Sequence, residues 1–276
     1  MGNPLNTITT KNLQYLKPWL DEVVAQVEVP EYIHKDPVSF MHAFSDKEDQ
    51  LLAGFFAAIM AWGRRDIVIS KVDNLLSRMN YQPAEFIGNF NAGDTSKFSG
   101  FKHRTFNETD ITCMVTILSA ILRKYRSFEI FWEYCYRNAL SQNRELISVF
   151  HECFFNVIPD MPFRTRKHIS NSEKNSSCKR LYLYLRWCIR KNSDVDLGIM
   201  NFLPVSSLMI PLDVHVARQA RILGLLTRKQ NDWKAVKELT DKLIMLNPAD
   251  PARYDYALFG LGVMKLKLPK SYIVNE

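Results

Sequence analysis

Apolar residues recur at helical spacing over most of the chain, and the breaks between the apolar runs carry residues that start or stop helices. The stretch Leu51 to Trp62 is almost continuously apolar and follows Ser45-Asp46-Lys47-Glu48. There Ser45 can cap the amide of Glu48 while the Glu48 carboxylate reaches back, which predicts a buried helix to about Trp62. Asp66 predicts a cap for Ile67 to Leu76, and Gln82-Pro83 ends that segment. Helices are expected at about 109–125, 127–138 and 142–158, the last stopped by Pro159 and Pro162. A polar, basic stretch from Arg164 to Ser177 precedes the run Lys179 to Trp187. Leu181–Leu185 alternates briefly, but its neighbours on both sides favour a helix. Further on, Pro211-Leu212-Asp213 opens a helix that closes at Gly224, Asn231 or Asp232 caps the next through about Leu246, and Asp250-Pro251 precedes a last one ending around Gly260-Leu261-Gly262. No alternating run demands a sheet, and there is no internal repeat or low-complexity tract. The expectation is an all-α fold of about ten helices.

Composition narrows the class. With 276 residues, 47% hydrophobic and 24% charged, the chain can bury a sizeable core as one large domain or two small ones. Ten Gly and 12 Pro are too few for a loop-rich β-sandwich. Five scattered Cys without a C-x-x-C pair argue against a disulfide framework, a zinc knuckle or a cysteine-held iron–sulfur cluster. The start has neither a signal-peptide apolar run nor the Ser/Thr of a myristoylation site, and the longest apolar run is too short for a bilayer. A soluble, cytoplasmic protein without membrane association is therefore expected. His34, Asp36, His42, Asp46 and Asp49 do not form a metal set on this reading, because Pro37 and the capping residues break any helical ligand spacing, and no cofactor is expected. Thirty-six Lys+Arg against 29 Asp+Glu leave +7. That balance, with a pI near 9.1, leans toward a polyanionic partner, nucleic acid first.

The strongest local signal is Ile210-Pro211-Leu212-Asp213-Val214-His215-Val216-Ala217-Arg218, running on to Gly224. It resembles the segment that carries the catalytic aspartate in the helix-hairpin-helix DNA glycosylases, the superfamily of endonuclease III and the 8-oxoguanine glycosylases. On matching positions Asp213 is the catalytic carboxylate at a helix start, with His215 and Arg218 in the following turn. The bland reading is that Asp213 is a plain helix cap. Phe55 to Val72 resembles the two-helix segment that carries the DNA-wedging loop of endonuclease III. Asp66 matches an aspartate there, but Gly63 stands where the family has its glutamine wedge. Trp62, Arg64 or Arg65 would then fill the gap left by an extruded base; otherwise Trp62 is core and the arginines are a solvated turn.

A bifunctional member of that superfamily carries a nucleophilic lysine at the start of the helix after the hairpin, and Lys174 and Lys179 both fit, Lys179 better because Leu181 begins the apolar run. Independently of the family, a lysine in a helix's first turn next to Arg180 meets the positive end of the dipole and a like charge, and both disfavour the ammonium. Its distance in sequence from Asp213 resembles the archaeal 8-oxoguanine glycosylase branch. The glycine-rich hairpin of the superfamily is absent, replaced by Ile169 to Ser177, with Arg164, Arg166, Lys167 and His168 just upstream; a basic turn leading into a helix start can anchor a phosphate. Trp187 and the tyrosines of its helix could line a base pocket or belong to the core.

The whole chain also resembles a family of uncharacterised bacterial proteins. What the resemblance implies is a two-lobed unit over 1–276, one lobe at 45–205 and the other joining 1–44 to 206–276. It would be a monomer that holds double-stranded DNA through Trp62, Arg64, Arg65, Arg164, Arg166, Lys167, His168, Lys174, Arg180, His215 and Arg218, and would sit on the nucleoid when bound. A damaged, oxidised purine would be flipped into the cleft, Lys179 would attack C1′, Asp213 would stabilise the oxocarbenium charge, and an AP-lyase step would follow. The rivals are a monofunctional glycosylase, a non-catalytic nucleic-acid-binding protein on the same fold, and a helical interaction module.

Overall fold

A computed structural model describes residues 6–275. The fold is all-α: the described residues form ten helices of nine residues or more, joined by short helical turns, with one two-residue antiparallel pair, Lys102–His103 against Phe106–Asn107. The long helices are α1 (Thr10–Val27), α2 (Lys47–Ile59), α3 (Arg65–Arg78), α4 (Glu108–Tyr125), α5 (Phe128–Gln142), α6 (Leu146–Asn156), α7 (Lys179–Ile189), α8 (Val214–Ile222), α9 (Trp233–Leu246) and α10 (Tyr254–Val263). Among the described residues no helix is long and apolar enough to cross a membrane.

Helix α1 is not among the helices placed from the sequence, and Pro18 lies inside it. Thr9 caps its start, and Leu13, Leu16, Leu20, Val23, Val24 and Val27 are buried along one face. Six such side chains, each worth roughly 1.5–3 kcal/mol, outweigh the ~3 kcal/mol that an interior proline costs. The cap of α2 falls one residue later than expected. Asp46, not Ser45, accepts from the amides of Glu48 and Asp49, and the Glu48 carboxylate turns away to accept from the Phe128 amide at 2.7 Å, tying the start of α5 to α2. The apolar helix ends at Ile59 rather than Trp62. Arg64, not Asp66, precedes α3, and Asp66 lies in its first turn.

One hydrophobic core runs through the molecule. Helix α2 packs on α7, and α10 lies against both α1 and α8. Aromatic rings fill the space around α2: Phe55 meets Phe128, Phe150 and Tyr184, and Trp132 stacks on Phe150 with ring centres 3.7 Å apart. Tyr184 and Trp187 of α7 are fully buried here, so they belong to the core. The far end of α8 is clamped from both sides. Gly224, at φ +70°, accepts from the Ile8 amide at 2.9 Å, and Ile222 accepts from the Val274 amide at 2.8 Å.

Candidate active site

Two helix starts meet at one wall of a cleft. Lys179 is the first residue of α7 and Asp213 the residue before α8. The Lys179 Nζ lies 3.5 Å from Asp213 Oδ2, with the lysine side chain 31% and the aspartate 12% exposed. The other carboxylate oxygen, Oδ1, accepts from the amides of His215 and Val216 at 2.8 and 2.9 Å. Asp213 is thus a helix cap with one oxygen and a partner for Lys179 with the other, so the bland reading and the chemical one describe the two halves of one group.

Lys179, Asp213 and His215, with Ala61 and Gly63 from the α2–α3 bend, border two adjoining cavities. The inner one, about 380 Å³, is lined by Tyr32, Asp36, Arg65, Arg186, Asp255 and Phe259 among others. The outer one, about 490 Å³, is lined by Trp62, Ser170, Ser176, Ser177, Arg180 and Asn231 together with the shared wall. Gly63 has φ +103°, a backbone state that L side chains rarely adopt, which is why a glycine stands at this bend.

The inner cavity has an acidic floor. Asp36 accepts from the Tyr32 hydroxyl at 3.0 Å and lies 3.6 Å from Arg65, whose guanidinium also sits over the Phe259 ring at 5.3 Å. Behind it, Arg186 pairs with Asp255 and, at 3.3 Å, with Asp196, and donates to Tyr256 at 3.0 Å. Arg190 pairs with Asp196 at 2.6 Å, Glu28 at 2.7 Å and Asp250 at 2.9 Å. Asp255 is 4% exposed, and its Oδ1 has no hydrogen-bond partner among the described residues. Burial pushes its carboxyl up to about 7, against the lowering pull of Arg186 and with the added push of Asp213.

The remaining residues named from the sequence fall into three groups. Arg64, Lys167, Lys174, His215 and Arg218 are exposed, although Arg64 is paired with Asp66 at 2.6 Å. Arg164 donates to Asn107 at 2.6 Å and lies 3.3 Å from Asp110, and Arg166 rests over the Phe155 ring at 4.9 Å. His168 is corrected: it is 3% exposed, 3.3 Å from Asp110, and burial drives its pKa down to about 4, so it is an uncharged core residue rather than a phosphate contact. Arg180 is directed inward as well. It donates to the Ile59 carbonyl and lies over the Trp62 ring at 4.8 Å, while Trp62 meets His103 edge-on at 4.6 Å. Trp62 is therefore a half-buried, braced ring on the outer cavity.

The segment replacing the hairpin is an ordered turn. Asn171 caps the short helical turn Ser172–Lys174, and the left-handed positions are filled by Asn175 at φ +59° and Cys178 at φ +52°. Asn tolerates that conformation through its short polar side chain. Asn175 also ties the turn to the start of α9, donating to Asp232 at 3.1 Å and accepting from the Trp233 amide at 3.4 Å.

Sequence reasoning missed Tyr32, Arg186, Asp255 and Phe259 as site residues. The signal for Asp255 and Arg186 is a charged residue inside an otherwise apolar helix run, which asks for a buried partner. No curated protein and no solved structure matches the chain. Residues 36–264, which carry Asp36, Lys179, Asp213 and Asp255, match the model of a family described as protein of unknown function (DUF2400), and the chain belongs to that family.

Proposed function

We propose that this protein is a DNA glycosylase with an associated AP-lyase step, acting as a monomer on double-stranded DNA that holds a damaged purine. The observation that carries the reading is the 3.5 Å approach of Lys179 Nζ to Asp213 Oδ2 at the mouth of a cavity about 380 Å³ in size. A side-chain amine beside a fixed carboxylate is what attack on a sugar C1′ requires: one group forms the covalent bond and the other stabilises the positive charge that develops. A flipped nucleotide would put its base in the inner cavity, over Phe259, and its sugar at the Lys179–Asp213 wall. The hydroxyls of Ser170, Ser176 and Ser177 in the outer cavity would face the backbone, with the exposed Arg64, Lys167, Lys174 and Arg218 as phosphate contacts.

The test is a panel of lesion-bearing duplexes that includes 8-oxoguanine, read for base release, nicking and borohydride trapping. The wild type should release a base and leave a trapped adduct, and Lys179→Gln should abolish the adduct without unfolding the protein. Asp213→Asn keeps an oxygen that caps α8, so melting should change by only a few tenths of a kcal/mol. Its base release should fall by about two to three orders of magnitude through the lost charge. Salt-dependent duplex binding with no turnover on any lesion would refute the enzymatic reading and leave a binding protein.

A further inference from the structure

We propose that Asp255 is the acid of this site, a catalytic group that hands a proton to the departing base. The proposal rests on the glycosylase reading, and its starting point is a mismatch of charge. Arg186 and Arg190 face Glu28, Asp196, Asp250 and Asp255, so carboxylates outnumber guanidiniums in a buried cluster. Such a cluster holds a proton more readily than it holds every charge. Of these carboxylates Asp255 lines the cavity, and its Oδ1 is the buried oxygen left without a partner.

The groups that face Asp255 come from several elements. Arg186 and Lys179 lie on α7, Asp196 follows that helix, Asp213 precedes α8, and Tyr32 comes from the turn after α1. Arg186 and Lys179 favour the carboxylate, whereas burial, Asp213 and Asp196 favour the acid, and the balance lies at about 7. An ionised Asp255 would leave Oδ1 desolvated and unbonded, a cost that protonation of this cavity-lining residue relieves. Asp213 has different surroundings, with two amides donating to Oδ1 and the Lys179 Nζ 3.5 Å from Oδ2. Two carboxyl groups on one cavity are thereby given different tasks, one beside the attacking amine and one to give up a proton.

The step balances as follows. Once the ammonium of Lys179 has released a proton to water, its amine forms a bond to C1′ as the C1′–N bond to the base breaks, and that bond's electron pair leaves with the base. The Asp255 carboxyl transfers its proton to a ring nitrogen of the base, so the base departs neutral and Asp255 becomes a carboxylate paired with Arg186. The positive charge then resides on the sugar-linked nitrogen of Lys179, 3.5 Å from Asp213 in the free protein. Water restores the proton to Asp255 after the base has left.

The experiment compares wild type and Asp255→Asn in single-turnover base release over about pH 5 to 9, on two duplexes. One carries a neutral oxidised purine and the other an N7-methylated purine, whose fixed positive charge makes it a good leaving group without a proton. On the neutral purine the wild-type rate should fall toward tenfold per pH unit above about 7, and Asp255→Asn should be slower by about 100-fold or more with that limb gone. On the cationic purine the variant should stay within a few-fold of wild type. Equal losses on both duplexes would make Asp255 a positioning or base-reading residue and overturn the proposal, as would a wild-type rate without the limb. Carboxyl infrared difference spectra of the whole protein against Asp255→Asn give a readout that needs no turnover: a band titrating near 7 is expected, and titration in the ordinary carboxylate range refutes the acid role. Release of no base from either duplex by wild type would overturn the glycosylase reading and the acid with it.

Discussion

Helix α7 turns arginines inward near both of its ends, one half-buried and one fully buried, and they are held in opposite ways. Arg180, at the start, has a backbone carbonyl and the Trp62 ring as partners and no carboxylate within ion-pair distance among the described residues. Burial without a counter-charge drives its pKa down to about 10. Arg186, further along, is buried more deeply still, yet Asp196, Tyr256 and Asp255 overcome the cost of burial and hold it above the usual range. Burial alone therefore does not say what an arginine does. At the outer end the guanidinium braces a ring and a loop; at the inner end it holds an acidic floor together.

The contrast has measurable consequences, the first of which is the largest. Arg186→Met removes the cation between two buried carboxylates and should lower unfolding free energy by about 3–5 kcal/mol in denaturant titrations. Next comes pH. The Asp255 carboxyl titrates near 7 in the folded protein and near 3.9 in the unfolded chain. The native state binds the extra proton between those values, so its contribution to stability is full below about 4 and lost as pH rises through 7. Stability should therefore decline by roughly 1 kcal/mol per unit across that window, and Asp255→Asn should flatten the slope. The smallest effect belongs to Arg180→Met, which should cost about 1 kcal/mol or less, the scale of a cation–π contact, and shift the Trp62 fluorescence. If Arg180→Met proves as costly as Arg186→Met, the two ends are not different in kind.

Local signals made much of this architecture legible. Lys179 does begin its helix, Asp213 and Asp232 do cap theirs, and Gly224 does end α8 with a left-handed backbone. Each depends on a few neighbouring residues, which is the range over which capping operates. The failures also have local causes. Helix α1 has an interior proline, a residue that counts against a helix, and at the start of α2 two adjacent residues, Ser45 and Asp46, were equally able to cap. Half the site was beyond reach for a different reason. The pairing of Arg186 with Asp255 spans 69 positions and that of Arg190 with Glu28 spans 162, so only the packing of α1, α7 and α10 creates the acidic floor. The meeting of Lys179 and Asp213 was expected through a resemblance, not from spacing.

The double engagement of Asp213 bears on how relatives of this protein are to be read. Selection on folding alone would keep an aspartate there, because its Oδ1 fastens the first turn of α8 whatever the Oδ2 does. A copy that had lost all chemistry would still retain it, and finding that aspartate in another sequence says little about activity. Lys179 caps nothing, and among the described residues its side chain is held only by the ion pair with that same oxygen. Once the reaction is gone, nothing in the helix holds a lysine at that position. The identity of residue 179, rather than that of the more eye-catching motif around Asp213, is where lineages that still perform the chemistry would part from those that only keep the shape.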